Sequence, residues 1–339
     1  MTRRLIAAVL LTALAPRVAE ACAGCRNPNL PITRLANVQL IPGEIRAAVA
    51  LSGTAMNVVH QDGCLDLTNC DEIPKQPRYI HNQNIYPGEL RAIGEYALTE
   101  SWGVEAQLPF RVTKTTIRYQ TLEGKPYPPP DPTVHHRNET LYGIGDPWLL
   151  GRYGKTLGGF VVTARAGTTL PLGRTEPDPF ELGDLGLPHQ HIQFGTGTFD
   201  PILAVDVSRA FGKLYLAAYA QAQLTLYQNS KGFRAGNRTF AGLSGGATFL
   251  EAWQGSLGVD VLNEQPEKWS GVVRQDGNLG RTELLLNLTL SRTFGETTAS
   301  LVVRVPVYRH IVQGTEDPGN LTSPAMASLI LSHTFLQGG

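Results

Sequence analysis

The sequence predicts an all-β fold, a transmembrane antiparallel up-and-down β-barrel of about twelve strands that follows a cleaved signal peptide. Three observations support this prediction. Long segments alternate between apolar and polar residues, their connections alternate between very short and very long, and the chain ends on such a segment at Ala327–Phe335. Tight turns on one rim, long loops on the other and an even strand count are typical of barrels in the bacterial outer membrane.

The N-terminus has the features of an export signal. An apolar run, Leu5–Ala15, follows Arg3 and Arg4 and precedes the small-residue site Ala19-Glu-Ala21. Because this run is too short to span a bilayer as a helix, it is predicted to be a cleaved signal peptide. The predicted division is a signal peptide at residues 1–21, a cysteine-containing periplasmic tether or lumen plug at residues 22–43, and the barrel at residues 44–339.

The strands are predicted from a period of two. In residues 103–119, Val104, Leu108 and Phe110 alternate with Glu105 and Arg111, which indicates one apolar and one wet face. The segments are longer than the roughly 5–6 residues of globular sheets, as a tilted membrane crossing requires. The predicted strands are 44–56, 88–99, 103–119, 141–155, 158–171, 195–210, 213–228, 238–251, 255–265, 280–293, 297–309 and 324–336.

Aromatic residues mark the predicted periplasmic rim. Four of the five tight turns carry one, and another lies near the end of the last strand, which is the position of a membrane-interface girdle. The alternative is that they are ordinary core residues beside turns. The residues are Trp102, Phe211, Trp253, Phe294 and Phe335.

Charged residues occupy the face opposite the apolar one. Since a charge facing hydrocarbon costs several kcal/mol, these side chains are predicted to point into the barrel. A barrel of about twelve strands is narrower than the porins, so any pore is expected to be small, and either an open lumen or a salt-bridged interior fits. The predicted selectivity residues are Arg46, Arg91, Glu95, Glu105, Arg111, Arg152, Arg165, Asp206, Glu283 and Arg304, with Asp260 on the same side.

Several segments resemble one family of outer-membrane barrels. They are Gly143–Tyr153 (GIGDPWLLGRY), Gly195–Pro201 (GTGTFDP) and Val303–His310 (VRVPVYRH), together with a Cys-rich leader at Cys22–Leu30. The chain thereby resembles the barrels described as transporters or meta-pathway phenol-degradation proteins. The resemblance implies the barrel fold and a transport role. Its motifs contain no catalytic groups.

The four cysteines allow several interpretations. The spacing of Cys22 and Cys25 suits a disulfide, a redox pair or a metal thiolate pair, and Cys22 is also a candidate for lipidation or removal. Cys64 and Cys70 lie six residues apart in a predicted polar loop, where a disulfide would close a small ring. Pairing with the N-terminal cysteines is the alternative.

Histidines cluster in the segments predicted to be external. They include His60, His81 and His310. The pairs His189-x-His191 and His135-His136 lead to the hypothesis of a copper or zinc site at the mouth of the barrel. The competing interpretation is that polar loops simply collect polar residues. The candidate metal ligands are Cys22, Cys25, His135, His136, His189 and His191.

The leading functional hypothesis is a channel or facilitator for a small solute. The expected surroundings are outer-membrane lipid, and the sequence does not predict the oligomeric state. The alternatives are a metal-handling barrel and a closed structural barrel. The chain has 29 Lys+Arg against 29 Asp+Glu, so it lacks the basic excess that nucleic-acid binding needs. Enzyme activity is not expected, because Ser332 and His333 point to opposite faces and there is no nucleophile elbow.

Overall fold

The computed structural model describes residues 30, 35, 41–62, 79–127, 137–274, 277–313 and 325–335. These residues form sixteen strand segments and one short helix. The strands are β1 (Ile45–Thr54), β2 (Met56–Asp62), β3 (Tyr79–Ala97), β4 (Trp102–Thr121), β5 (Glu139–Ile144), β6 (Trp148–Leu157), β7 (Phe160–Thr169), β8 (Pro201–Phe211), β9 (Leu214–Gln223), β10 (Phe233–Arg234), β11 (Arg238–Phe249), β12 (Trp253–Glu264), β13 (Lys268–Trp269), β14 (Arg281–Phe294), β15 (Thr297–Ile311) and β16 (Met326–Phe335); the helix is α1 (Pro179–Asp184).

The sheet closes on itself as a twelve-strand antiparallel barrel, as the sequence predicted. The first and last strands pair along their length, from Ile45 opposite Phe335 to Thr54 opposite Met326. Two walls of the barrel are interrupted: β2 continues β1 against β3, and β5 and β6 both pair with β4 on either side of residues 145–147. Strands β10 and β13 form a separate two-stranded ribbon.

The two faces of the wall differ in the way that a membrane requires. In β1, Ala48 and Ala50 are buried inside the barrel, while Val49 and Leu51 are exposed outside. The same pattern exposes large apolar side chains around the barrel, and exposing them to water would cost about 25 cal/mol for each Å². Lipid removes this cost, so the chain is an outer-membrane β-barrel.

The predicted aromatic rim is present at the tight-turn end. Trp102, Phe211, Phe294 and Phe335 are all exposed there, and Trp253 is half-buried with the Arg292 guanidinium 5.2 Å from its ring centroid; side chains of this kind suit the membrane interface.

The one helix lies in a long connection, the loop between β7 and β8. Asp178 caps helix α1 by accepting hydrogen bonds from the backbone N–H groups of Phe180 (2.9 Å) and Glu181 (3.4 Å), and Pro179 occupies the first turn. No helix among the described residues is long and apolar enough to cross a membrane.

The predicted strand positions agree with the structure except at the long-loop end. Strand β3 begins at Tyr79 rather than residue 88, and β2 lies within the predicted loop, so His60 and His81 stand opposite each other in paired strands. Here Asn57 Nδ2 donates hydrogen bonds to Asn82 Oδ1 (2.8 Å) and Asn84 Oδ1 (2.7 Å). Strands that extend beyond the lipid carry polar residues on their outer face, so the apolar alternation is lost there.

The membrane-facing surface makes one prediction. Leu288 lies in the middle of β14 and is 51% exposed, so Leu288→Arg is expected to lower the free energy of unfolding in phospholipid vesicles by roughly 2–4 kcal/mol. Denaturant titration of the folded barrel measures this change. The control is Leu185→Arg, at a 72% exposed loop position, where a change within about 0.5 kcal/mol is expected. Equal effects at the two positions would contradict the assigned membrane face.

Candidate functional site: the barrel interior

The predicted selectivity residues all lie on the inner face of the barrel. Arg111 and Arg165 are partly buried, and the other eight are buried. Their charged groups contact one another in clusters. Burying a charge without a partner is very unfavourable, so pairing is what allows them to be inside.

The largest cluster is centred on Glu95, which is 2% exposed. Its carboxylate pairs with Arg46 and lies 3.3 Å from Arg165 Nη2 and 3.9 Å from Arg152 Nε. Arg165 also reaches the carboxylates of two further strands, with 2.6 Å between its Nε and Glu105 Oε2. Six neighbouring strands each supply one member: Arg46, Glu95, Glu105, Arg152, Arg165 and Asp206.

A second cluster lies nearer the long loops on β3 and β4. Glu89 accepts hydrogen bonds from Arg91 Nε (2.8 Å) and Arg111 Nε (2.9 Å). Arg91 also donates to Gln107 Oε1 (2.7 Å), and its guanidinium lies 4.7 Å from the ring centroid of Trp148. Arg91 therefore connects the charged groups of this cluster to the aromatic ring of Trp148.

The opposite wall carries further pairs. Asp260 accepts hydrogen bonds from Arg304 Nε and Asn287 Nδ2, at 2.8 and 2.9 Å. Glu283 accepts one from Arg309 Nε at 2.5 Å. Each of these two carboxylates is thus also paired with an arginine of β15.

An apolar layer separates two small cavities in the interior. One cavity of about 50 Å³ lies on the long-loop side and borders Trp148, and one of about 20 Å³ borders Leu150. The layer extends from β6 to β14, which are six strands apart in the ring, and every member is at least 95% buried. We define the apolar layer as Trp148, Leu150, Ile202, Phe240, Leu262 and Leu285.

Described residues of the N-terminal segment also lie in the interior. Leu35 packs against Ala50, Val302 and Ile330 on the wall formed by β1, β15 and β16. It also borders the smaller cavity together with Leu150 of the apolar layer. Leu35 therefore lies between the apolar groups of two walls.

Two other contacts locate this segment along the barrel. Arg238, the first residue of β11 at the long-loop end, donates a hydrogen bond from Nη2 to the Leu30 carbonyl (2.7 Å). Gly43 donates from its backbone N–H to the Ala97 carbonyl (2.9 Å), at the end of β3 beside a tight turn. The described part of the segment thus contacts the wall at both ends.

A buried carboxylate fixes the loop between β7 and β8 at the mouth. Asp146, in the break between β5 and β6, accepts hydrogen bonds from Gly173 N (2.9 Å), Thr196 N (2.6 Å) and Thr196 Oγ1 (2.8 Å). The two arms of the loop are so close that a Cβ on Gly173 would lie 2.6 Å from Gly195 Cα. The segment predicted as the start of a strand at residue 195 is instead this anchored loop.

A second buried carboxyl lies at the end of the same loop. Asp200 is completely buried and accepts hydrogen bonds from Thr198 Oγ1 (2.7 Å) and Gln223 Nε2 (3.1 Å). Burial raises the pKa of the Asp200 carboxyl above its usual range, although these hydrogen bonds act in the opposite direction.

The candidate histidines are packed against aromatic rings of the loops. His189 and His191 are buried with ring centroids 5.2 Å apart, and His191 lies edge-on to Phe180 at 5.1 Å. His189 Nδ1 is 2.9 Å from the Leu187 carbonyl oxygen. In the part of the chain that the structure describes, no three His, Cys, Asp or Glu side chains are grouped to hold a metal ion.

The other predicted ligands and both disulfide candidates are outside the described residues. These positions are Cys22, Cys25, Cys64, Cys70, His135 and His136. The metal hypothesis therefore receives no support from the described geometry.

Known structures share the barrel fold. An outer membrane channel from Pseudomonas putida F1 matches with a TM-score of 0.58 and 13% identity over 90% of this chain and 100% of that one. A Pseudomonas aeruginosa FadL homologue (TM-score 0.40, 10% identity, 86% and 90% covered) and the P. putida toluene transporter TodX (TM-score 0.41, 10% identity, 88% and 91% covered) also match. Of these three, the first supports the outer-membrane barrel fold. The sequence matches no protein-family model and no curated protein.

The Glu95 cluster makes a stability prediction. Glu95→Gln removes the charge that several arginines share, and breaking a buried ion pair typically costs about 3–5 kcal/mol. We expect a loss of this size in the free energy of unfolding. Glu176→Gln is the control, because its partner Arg174 is 47% exposed and such pairs contribute only about 0–1 kcal/mol. A loss at Glu95 no larger than at Glu176 would refute the structural role of the cluster.

The Asp146 anchor makes a separate prediction. Asp146→Ala leaves three donors without this acceptor, at a cost of about 1–3 kcal/mol for each donor that stays unpaired. The loop should open, and trypsin should cleave after Arg174 faster than in the unmodified protein. The matched control is Asp184→Ala in exposed α1, for which the cleavage rate should be unchanged. Equal rates in both variants would exclude the anchoring role.

Proposed function

We propose that this protein carries a small solute across the outer membrane through the barrel interior. The observation that carries the proposal is the position of Leu35, which lies in the interior against the wall of β1, β15 and β16 and borders a cavity that charged side chains also line. A purely structural barrel has no need to hold a separate segment in this position. The first structural neighbour, an outer membrane channel, supports the same class of function.

We propose that residues 22–43 act as a plug rather than a periplasmic tether, after removal of a signal peptide at residues 1–21. The support is the interior position of Leu30 and Leu35. The plug is held to the wall at the described positions by apolar contacts and one side-chain hydrogen bond, whereas the wall itself is joined by ion pairs.

The path would then be narrow and lined by compensated charges. From the outer side the solute would meet Glu89 and Arg111 first, then Arg91 and Trp148 at the apolar layer. The Glu95 cluster would meet it beyond the layer. Paired charges in a low-dielectric passage create strong local fields but little net charge, which disfavours bare ions and favours small, largely uncharged solutes. Aromatic side chains in the path favour a solute with an apolar or aromatic body.

Single-channel recording in a planar bilayer tests the proposal. The full chain should show small and infrequent conductance steps, and deletion of residues 22–40 should enlarge them several-fold. A point variant, Leu35→Asp, should act in the same direction, because an unpaired carboxylate among Ala50, Val302 and Ile330 costs several kcal/mol. Leu122→Asp, at an exposed position after β4, is the control and should conduct as the full chain does.

Two outcomes would count against the proposal. Silence from both the full chain and the deletion variant, each folded, would favour a closed structural barrel. Equal conductance of the full chain and the deletion variant would show that the interior is open without removal of the segment.

A further inference from the structure

The outer wall has a groove where the membrane-facing side chains are unusually small. It lies across β6 to β9, has a volume of about 730 Å³ and is lined almost entirely by apolar atoms. Its floor is formed by Gly151, Ala164, Ala166, Ala220 and Ala222. The outward positions of β14 carry large side chains instead, such as Leu286, Leu288 and Leu290.

The register of the strands places these small residues side by side, on both sides of Leu203. Gly151 is paired with Ala166, Ala166 with Leu203, and Leu203 with Ala222. Because residues on one face of a sheet alternate, these side chains all project outward in one row. Leu203 stands above the row as a ridge, so the groove has walls as well as a floor.

The end of the groove toward the tight turns is marked by aromatic residues. Trp102 and Tyr153 pack edge-to-face with ring centroids 4.9 Å apart, and both border the groove. Aromatic side chains of this kind lie at the level of lipid headgroups. Since tight turns face the periplasm, this end of the groove lies in the inner leaflet.

Two cations lie beyond the aromatic pair, closer to the tight turns. Lys155 is two residues further along β6 than Tyr153 and is exposed on the outer face. Arg209 of β8 is paired in register with Phe160, and its guanidinium lies 4.7 Å from that ring centroid. Among the described residues, neither cation forms an ion pair with a carboxylate.

We propose that this groove binds a phospholipid of the inner leaflet. One acyl chain lies on the floor at Gly151 and Ala166, against the ridge of Leu203. The headgroup phosphate is held between Lys155 and Arg209. The apolar floor and the two cations at one end, neither of them in an ion pair with a described carboxylate, match the two parts of such a lipid.

Native mass spectrometry with added phosphatidylglycerol tests the proposal. The unmodified barrel should retain this lipid through removal of the detergent. Gly151→Leu fills the floor, and it should fold normally because a Cβ there would meet only the Ala166 carbonyl oxygen, at 3.7 Å. Gly94→Leu is the matched control, since Gly94 also faces outward on β3 and a Cβ there would meet nothing within 4 Å. Retention should be lost in the first variant and kept in the second.

The phosphate contact has its own test. Lys155→Gln or Arg209→Gln should weaken retention about fivefold, as expected for one cation beside an anionic lipid. Arg292→Gln removes a cation from the same rim but away from the groove, where it lies over Trp253, and should change nothing. Diacylglycerol has the same chains without the phosphate and loses both cation contacts, so it should be retained about 25-fold less than phosphatidylglycerol.

Three results would overturn the proposal. Equal retention in Gly151→Leu and Gly94→Leu would exclude the groove, and equal retention of diacylglycerol would exclude the phosphate contact. A dimer mass for the unmodified protein that Gly151→Leu converts to a monomer would assign the groove to a second copy of the chain. None of these results depends on whether the barrel conducts.

Discussion

Closure of the sheet is the constraint on which the rest of this structure depends. Within lipid, every backbone N–H and C=O must be paired inside the protein, and an open sheet edge would leave a row of them without partners. The ten-residue pairing of β1 with β16 removes that edge. Once the ring is closed, each strand has one face toward lipid and one toward the interior, and the sequence must satisfy both in alternation.

The inner face meets this requirement by pairing charge with charge. In the Glu95 cluster each of six neighbouring strands supplies one ionised side chain, so the pairs also connect strands that have no direct backbone contact. The outer face of the same strands is apolar: Arg165 points inward between Ala164 and Ala166, which face lipid. A period of two therefore allows an ion-pair cluster and a lipid groove to occupy opposite sides of one short stretch of wall.

The sequence predicted the part of the fold that this alternation encodes. The strand count, the closed barrel and the inward direction of the charged residues all follow from a local pattern. The extension of β3 to Tyr79 did not follow, because Asn82 and Asn84 lie beyond the lipid and carry no apolar signal. Helix α1 was not predicted, although Asp178 followed by Pro179 is a local signal for a helix start.

The side-chain contacts of the site could not be predicted, because they join residues that are far apart in the sequence. The charges that share a cluster with Glu95 range from Arg46 to Asp206, and the partners of Asp146 lie 27 and 50 residues away. Such partners are set by the register of strands that are not neighbours in the chain. The polar sequence around His189 and His191 suggested exposed metal ligands. In the structure both rings are buried, and His191 packs against Phe180 of the same loop.

The interior combines parts that differ in how firmly they are held. Wall residues are joined by backbone pairing and by buried ion pairs, and removing one partner of such a pair is costly. Leu35 is held by contacts with Ala50, Val302 and Ile330, and burial of one leucine contributes only about 1.5–3 kcal/mol. Ala50 is small, which leaves room for this side chain between two walls that otherwise face each other. Loss of the Leu35 contacts therefore costs less than loss of a buried ion pair in the wall, which is why the proposed plug, and not the wall, is expected to move.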